Sequence, residues 1–117
     1  MKRLLLLVLV LNASVACSQT LPDVSAFSQQ QIFKNWVQNR CIGRIADSKS
    51  LRDDAEASSA AWFEASDLPA ENFEKADKVI DTLLKAKIGG SEPGHYLVLK
   101  CSLIANSDAI RSLKSRK

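Results

Sequence analysis

The chain has 117 residues, 46% hydrophobic and 25% charged, which leaves room for one folded domain and argues against disorder. Its formal charge is +3, but two of the basic groups are Lys2 and Arg3; without them 14 basic groups face 13 acidic ones, too even a balance for a nucleic-acid surface. Only 4 Gly and 3 Pro disfavour a loop-rich or all-β architecture, whose turns consume those residues.

The N-terminus reads as an export leader. Lys2 and Arg3 precede the unbroken apolar run Leu4 to Leu11, and the small residues Ala13, Ser14 and Ala16 follow. The run falls well short of the roughly 20 apolar residues that span a bilayer. Residues 1–16 are therefore expected to be a signal peptide, cleaved before Cys17 or within the next two residues. Cleavage before Cys17 also suits lipoprotein processing, in which that cysteine carries the lipid. Ser14, three residues before it, stands where such signals normally carry an aliphatic side chain. Residues 17–27 then read as a flexible N-terminal tether and 28–117 as the functional domain.

Export bears on the other two cysteines. Cys41 and Cys101 lie on apolar helical faces of a domain bound for an oxidising compartment, where thiols pair. A metal site would need more ligands than two cysteines and the single histidine, His95. One internal disulfide, Cys41–Cys101, is expected, and no metal or cofactor.

Along the domain the pattern is helical throughout. Ser28 with Gln31 three residues on has the form of a capping box. Phe33, Trp36, Val37, Arg40, Cys41, Arg44 and Ile45 then follow three-and-four spacing, ending near Asp47, with Gly43 a weak point. A second helix over about 50–64 would bury Leu51, Ala55, Ser59 and Trp62. Its small residues from Ala57 to Ala61 suggest a tight helix crossing. Pro69 opens a third helix with Phe73, Ala76, Ile80, Leu83, Leu84 and Lys87 on one face. Glu74–Lys78 and Asp81–Lys85 are acid-before-base pairs on its wet face. A fourth helix over about 96–106 would turn Leu97, Val98, Cys101 and Ile104 inward. A short fifth starts at Ser107 and Asp108, carries Ile110 and Leu113, and runs into the basic tail 114–117. The expected fold is all-α: a compact bundle of four to five helices, with Cys41 tying the first to the fourth.

Catalysis finds little support. A histidine-assisted nucleophile would have to use His95, and its cysteine candidates are better employed as a bridge. Asp53 and Asp54 are adjacent and so point to different sides of a helix. No HExxH, Walker A or GxGxxG pattern occurs, and Gly89, Gly90 and Ser91 lack the lysine that phosphate cradling requires. The chain reads as a binding protein, not an enzyme. The most informative segment is Gly89, Gly90, Ser91, Glu92, Pro93, Gly94 and His95, which holds three of the four glycines. Its plain reading is a connector, with one glycine as a helix cap and Pro93-Gly94 as a turn. Its functional reading is an exposed polar loop suited to enter a partner's cleft.

An ordered set of segments resembles a known family. They are Phe33 to Cys41, Trp62 to Ser66, Asp67 to Glu74, Gly90-Ser91 with Gly94-His95-Tyr96, and Leu99 to Cys101. Over residues 28 to 113 this set resembles the Tai family of type VI secretion immunity proteins, its fourth group in particular. The related Rap immunity proteins share the leader, the size and the cysteine pair. The resemblance implies a periplasmic inhibitor of a peptidoglycan amidase effector with a papain-like cysteine mechanism. It further implies a homodimer, which the small residues of the second helix also suggest. By position, Gly89 to His95 matches the loop with which such proteins plug the amidase cleft. The resemblance also implies a second contact surface offered by the partner subunit, near Asp67, Glu71 and Glu74. Two readings compete: a small periplasmic binding or stress protein unrelated to toxins, and an inhibitor of another cell-wall hydrolase. An amidase gene beside this one would favour the first reading over both.

Overall fold

The computed structural model describes residues 19–113. The leader, Cys17 and the basic tail lie outside them. Five α-helices form the domain: α1 Gln29–Ile45, α2 Lys49–Glu64, α3 Ala70–Leu83, α4 Leu97–Ala105 and α5 Asp108–Leu113. There is no strand among the described residues, so the all-α expectation holds.

Local chemistry fixes the helix starts. At α1 the Ser28 hydroxyl accepts the Gln31 amide at 3.2 Å while the Gln31 side chain accepts the Ser28 amide at 3.0 Å, completing the capping box. Ser48 caps α2 in the same way, accepting from the Leu51 amide at 3.2 Å. The segment expected as a tether carries local order of its own. A 3-10 turn at Val24–Ala26 is capped by Asp23, and the Phe27 ring meets Trp62 edge-on at 5.2 Å.

The core gathers on α1. Phe33, Trp36, Val37 and Cys41 are buried there with Phe73, Ala76 and Ile80 of α3, Cys101, Ile104 and Ala105 of α4, and Ile110 of α5. Phe33 and Trp36 meet Phe73 edge-to-face, with centroids 5.3 Å and 4.8 Å apart, the arrangement their ring quadrupoles favour. The disulfide Cys41–Cys101 joins α1 to α4 as expected, its Cα atoms 5.4 Å apart and both residues fully buried. Gly43 does not break α1. It faces Ala55 of α2, where an added Cβ would lie 3.6 Å from the Ala55 methyl, so small residues let these two helices run close. Ser59, buried on the same helix, donates its hydroxyl to the Ala55 carbonyl at 2.8 Å.

Three expected faces turn out differently. Leu51 is 44% exposed rather than part of the core face of α2. On α4, Val98 is 65% exposed and Leu97 also faces water; the core side is set by Cys101, Ile104 and Ala105. That helix is apolar nearly all round, so its pattern could not choose a face. On α3 the helix stops at Leu83: the Lys85 and Ala86 amides donate to Thr82 and Leu83, tightening the turn and leaving Lys87 exposed.

The wet face of α3 is also wired differently. Asp81 pairs with Arg44 Nε at 2.6 Å rather than with Lys85, and the acid-before-base pair along α3 is Glu71 with Lys75 at 2.6 Å. Asp77 receives both Arg40, through Nε at 3.1 Å and Nη2 at 3.2 Å, and Arg44 at 3.0 Å. Arg40 also lies over the Trp36 ring, 5.6 Å from its centroid. These links clamp α3 onto α1 along the edge of the aromatic core.

Candidate functional site

The segment between α3 and α4 has a definite shape. It begins where the Leu84 carbonyl accepts a hydrogen bond from Lys100 Nζ at 3.1 Å, which holds the loop's first residues against α4. It ends at Tyr96, whose backbone lies in the left-handed region at φ 55° and ψ 33° and serves as the N-cap of α4. From Gly89 to His95 every residue is exposed, and Gly94 takes φ 149°, a conformation that favours glycine.

One side chain crosses the interior of this loop. The Tyr96 hydroxyl accepts the Glu92 amide at 2.6 Å and donates to the Glu92 carbonyl. The same ring lies close to Gly90, where a Cβ would stand 2.7 to 2.8 Å from Cε1, Cζ and Oη. A side chain at position 90 would therefore have to displace the ring, while Gly89 has open space around it. Beside the loop, a surface recess of about 380 Å³ is lined by Lys87, Ile88, Gly94, His95, Leu97 and Lys100.

The other expected surface lies elsewhere. Asp67 stands before α3, its amide bonded to the Gln29 side chain at 2.7 Å, and Glu71 and Glu74 are exposed in the first turns of α3. The loop follows the last turn. A helix of this length is about 20 Å long, so within one chain the acidic residues and the loop sit at opposite ends of α3. Sequence reasoning missed Tyr96. An aromatic residue beside a glycine-rich run is the available signal, but helical spacing alone places it at the start of the fourth helix. Among the described residues no group of three or more His, Cys, Asp or Glu is placed to hold a metal ion, and no helix is long and apolar enough to cross a membrane.

Comparison with known proteins places the domain. Residues 31–114 match the family model Tai4, described as the type VI secretion system amidase immunity protein. Among solved structures, the chain is 78% identical, with a TM-score of 0.82, to one in the type VI effector–immunity complex Tae4–Tai4 from Enterobacter cloacae; the match covers 84% of this chain and all of that one. It is 79% identical, with a TM-score of 0.81, to one in the complex of the effector Tae4 from Salmonella typhimurium with the immunity Tai4 from Enterobacter cloacae, covering 83% of this chain and all of that one. A structure of the Tae4/Tai4 system from Salmonella typhimurium shares the fold at 20% identity and a TM-score of 0.74, covering 84% of this chain and 97% of that one. No curated protein sequence matches the chain. With the family model spanning most of the folded domain and the first two of these structures nearly four-fifths identical to it, the chain belongs to the Tai4 family of type VI secretion amidase immunity proteins.

Proposed function

We propose that the protein neutralises a Tae4-type amidase in the periplasm by placing the Gly89–His95 loop in the enzyme's active-site cleft. The observation that supports this most is the 79% identity to a structure from a Tae4–Tai4 complex, joined to a loop that is exposed along its length. A cysteine amidase acts by bringing a thiolate to the scissile amide carbon. A narrow, pre-shaped segment in the cleft denies the substrate that approach without any chemistry of its own. Glu92, exposed at the bend, is the loop's acidic group and His95 its imidazole.

The same reading has the chain act as a homodimer. Val98, Leu99 and Leu103 on the outer side of α4 are 65%, 44% and 52% exposed, an apolar face that a second copy would cover. A dimer would also let one subunit's loop and the other's Asp67–Glu74 surface reach a single amidase, which one chain's geometry does not favour. The leader directs the domain to the periplasm. Anchoring there through a lipid on Cys17 is the alternative that mass spectrometry of the mature N-terminus separates from plain cleavage.

The test is replacement of Ser91-Glu92-Pro93 by Gly-Gly-Gly. The expected result is an unchanged melting temperature with lost protection of cells that express the amidase in their periplasm. Intact protection would show that the loop is only a connector and that binding lies elsewhere on the bundle.

A further inference from the structure

We propose that Tyr96 is a positioning residue for inhibition: its side chain sets the shape of the 89–95 loop before the amidase arrives. This rests on the reading of that loop as the plug. Four observations converge on Tyr96. Its hydroxyl engages both backbone polar groups of Glu92, four residues back and at the middle of the loop. Its ring occupies the space that any side chain at position 90 would need. Its backbone alone, among non-glycine residues in the described part, has a positive φ, a conformation that costs an L-residue energy and persists only where surroundings hold it. And α4 starts immediately after it, so the ring is mounted on a helix pinned to α1 by the disulfide.

Together these make the loop a closed circuit around one aromatic ring. The chain passes Gly90 on one side of the phenol and reaches Glu92 at its hydroxyl. It then turns at Gly94 and returns to the tyrosine's own backbone. A glycine-rich segment without such a filler would sample many shapes and lose that freedom only on binding, which weakens affinity. With the phenol in place, much of the ordering occurs when the domain folds. The polar tips of Ser91, Glu92 and His95 stay free, since Tyr96 uses only the backbone of Glu92. Shape and recognition are thus assigned to different residues.

The experiment compares Tyr96→Phe, Tyr96→Ala, Gly90→Ala and the Tyr96→Ala/Gly90→Ala double variant of the whole exported chain. The triple-glycine replacement of 91–93 runs in parallel, with Tae4 of Enterobacter cloacae as the titrant. Melting temperature, amide exchange of residues 91, 92, 94 and 95, and Kd are read for each. Tyr96→Phe removes both hydrogen bonds and keeps the ring. It is expected to leave melting within a few degrees, speed loop exchange and weaken binding on the order of tenfold. Gly90→Ala displaces the ring from the loop side and should weaken binding to a similar degree. On the Tyr96→Ala background it should cost nothing further, because there is no ring left to displace.

Two results would overturn the proposal while leaving the plug in place: wild-type affinity for Tyr96→Phe when the triple-glycine loop has lost binding, or a full additional loss from Gly90→Ala on the Tyr96→Ala background. Wild-type affinity of the triple-glycine protein would instead remove the plug, and the positioning role with it. If Tyr96→Phe melts far lower, Gly90→Ala, which leaves the tyrosine intact, decides the matter through its own exchange and Kd.

Discussion

Removing the disulfide should be the most costly small change the fold can suffer. Cys41 and Cys101 are separated by 60 residues in sequence, a loop that includes all of α2 and α3. Closing a loop of that length restricts the unfolded chain by an entropy that corresponds to ~4 kcal/mol at room temperature. The folded side adds to this, because both cysteines are fully buried in the core and deleting their sulfurs leaves space there that neighbours fill only in part. A domain of about this size loses several degrees of melting temperature per kcal/mol. The double variant Cys41→Ala/Cys101→Ala should therefore melt on the order of 20 °C below the wild type, and reductant should move the wild type by a similar amount. Calorimetry with and without reductant measures both. A shift under about 5 °C in either would refute the reasoning. It would mean that the packing of α1 against α4, not the covalent link, holds that part of the domain together.

Other consequences can be read from the same geometry. Phe73→Ala removes the ring on which Phe33, Trp36 and Phe63 converge, and chemical denaturation should show a loss of about 3–5 kcal/mol. Asp77→Asn removes the negative charge shared by Arg40 and Arg44 and puts an amide NH2 in place of one acceptor oxygen; the groups are partly exposed, so the cost should be about 1 kcal/mol, and it should shrink as salt is added. Leu99→Glu with Leu103→Glu should leave the melting temperature nearly unchanged, since neither side chain is in the core, but should give a monomer in light scattering if α4 is the dimer face. A dimer of unchanged mass would move that interface elsewhere.

The parts of the fold legible in the sequence were those decided within a few residues or by one strong period. Ser28 and Gln31 recognise each other across three positions, so the start of α1 could be read directly. Phe33, Trp36, Val37 and Cys41 recur at helical spacing because one face of α1 is the centre of the core. Where a helix is apolar on both sides the period carries no direction, so the spacing of α4 does not reveal that Val98 and Leu97 face water. The charges of α3 failed differently. Spacing along one helix suggested Asp81–Lys85, but the arginines of α1 offered planar, forked donors from across the interface, and only tertiary structure shows which helix faces which.

The candidate site shows the same division at finer scale. The loop was visible as a cluster of glycines bounded by helical patterns, because glycine marks backbone that side chains would obstruct. Which glycine does what was not visible, and here the physical demands differ. Gly94 answers to its own φ, Gly90 to a ring six residues away, and Gly89 to no neighbour at all. A substitution at each should therefore report something different. Gly94→Ala strains the backbone wherever the ring is, Gly90→Ala strains it only while Tyr96 is present, and Gly89→Ala meets no steric obstacle. That order of sensitivity separates a loop shaped by its own glycines from one shaped around a tyrosine. The loop's resting shape is then a property of the fold, written on α4 as much as on the loop itself.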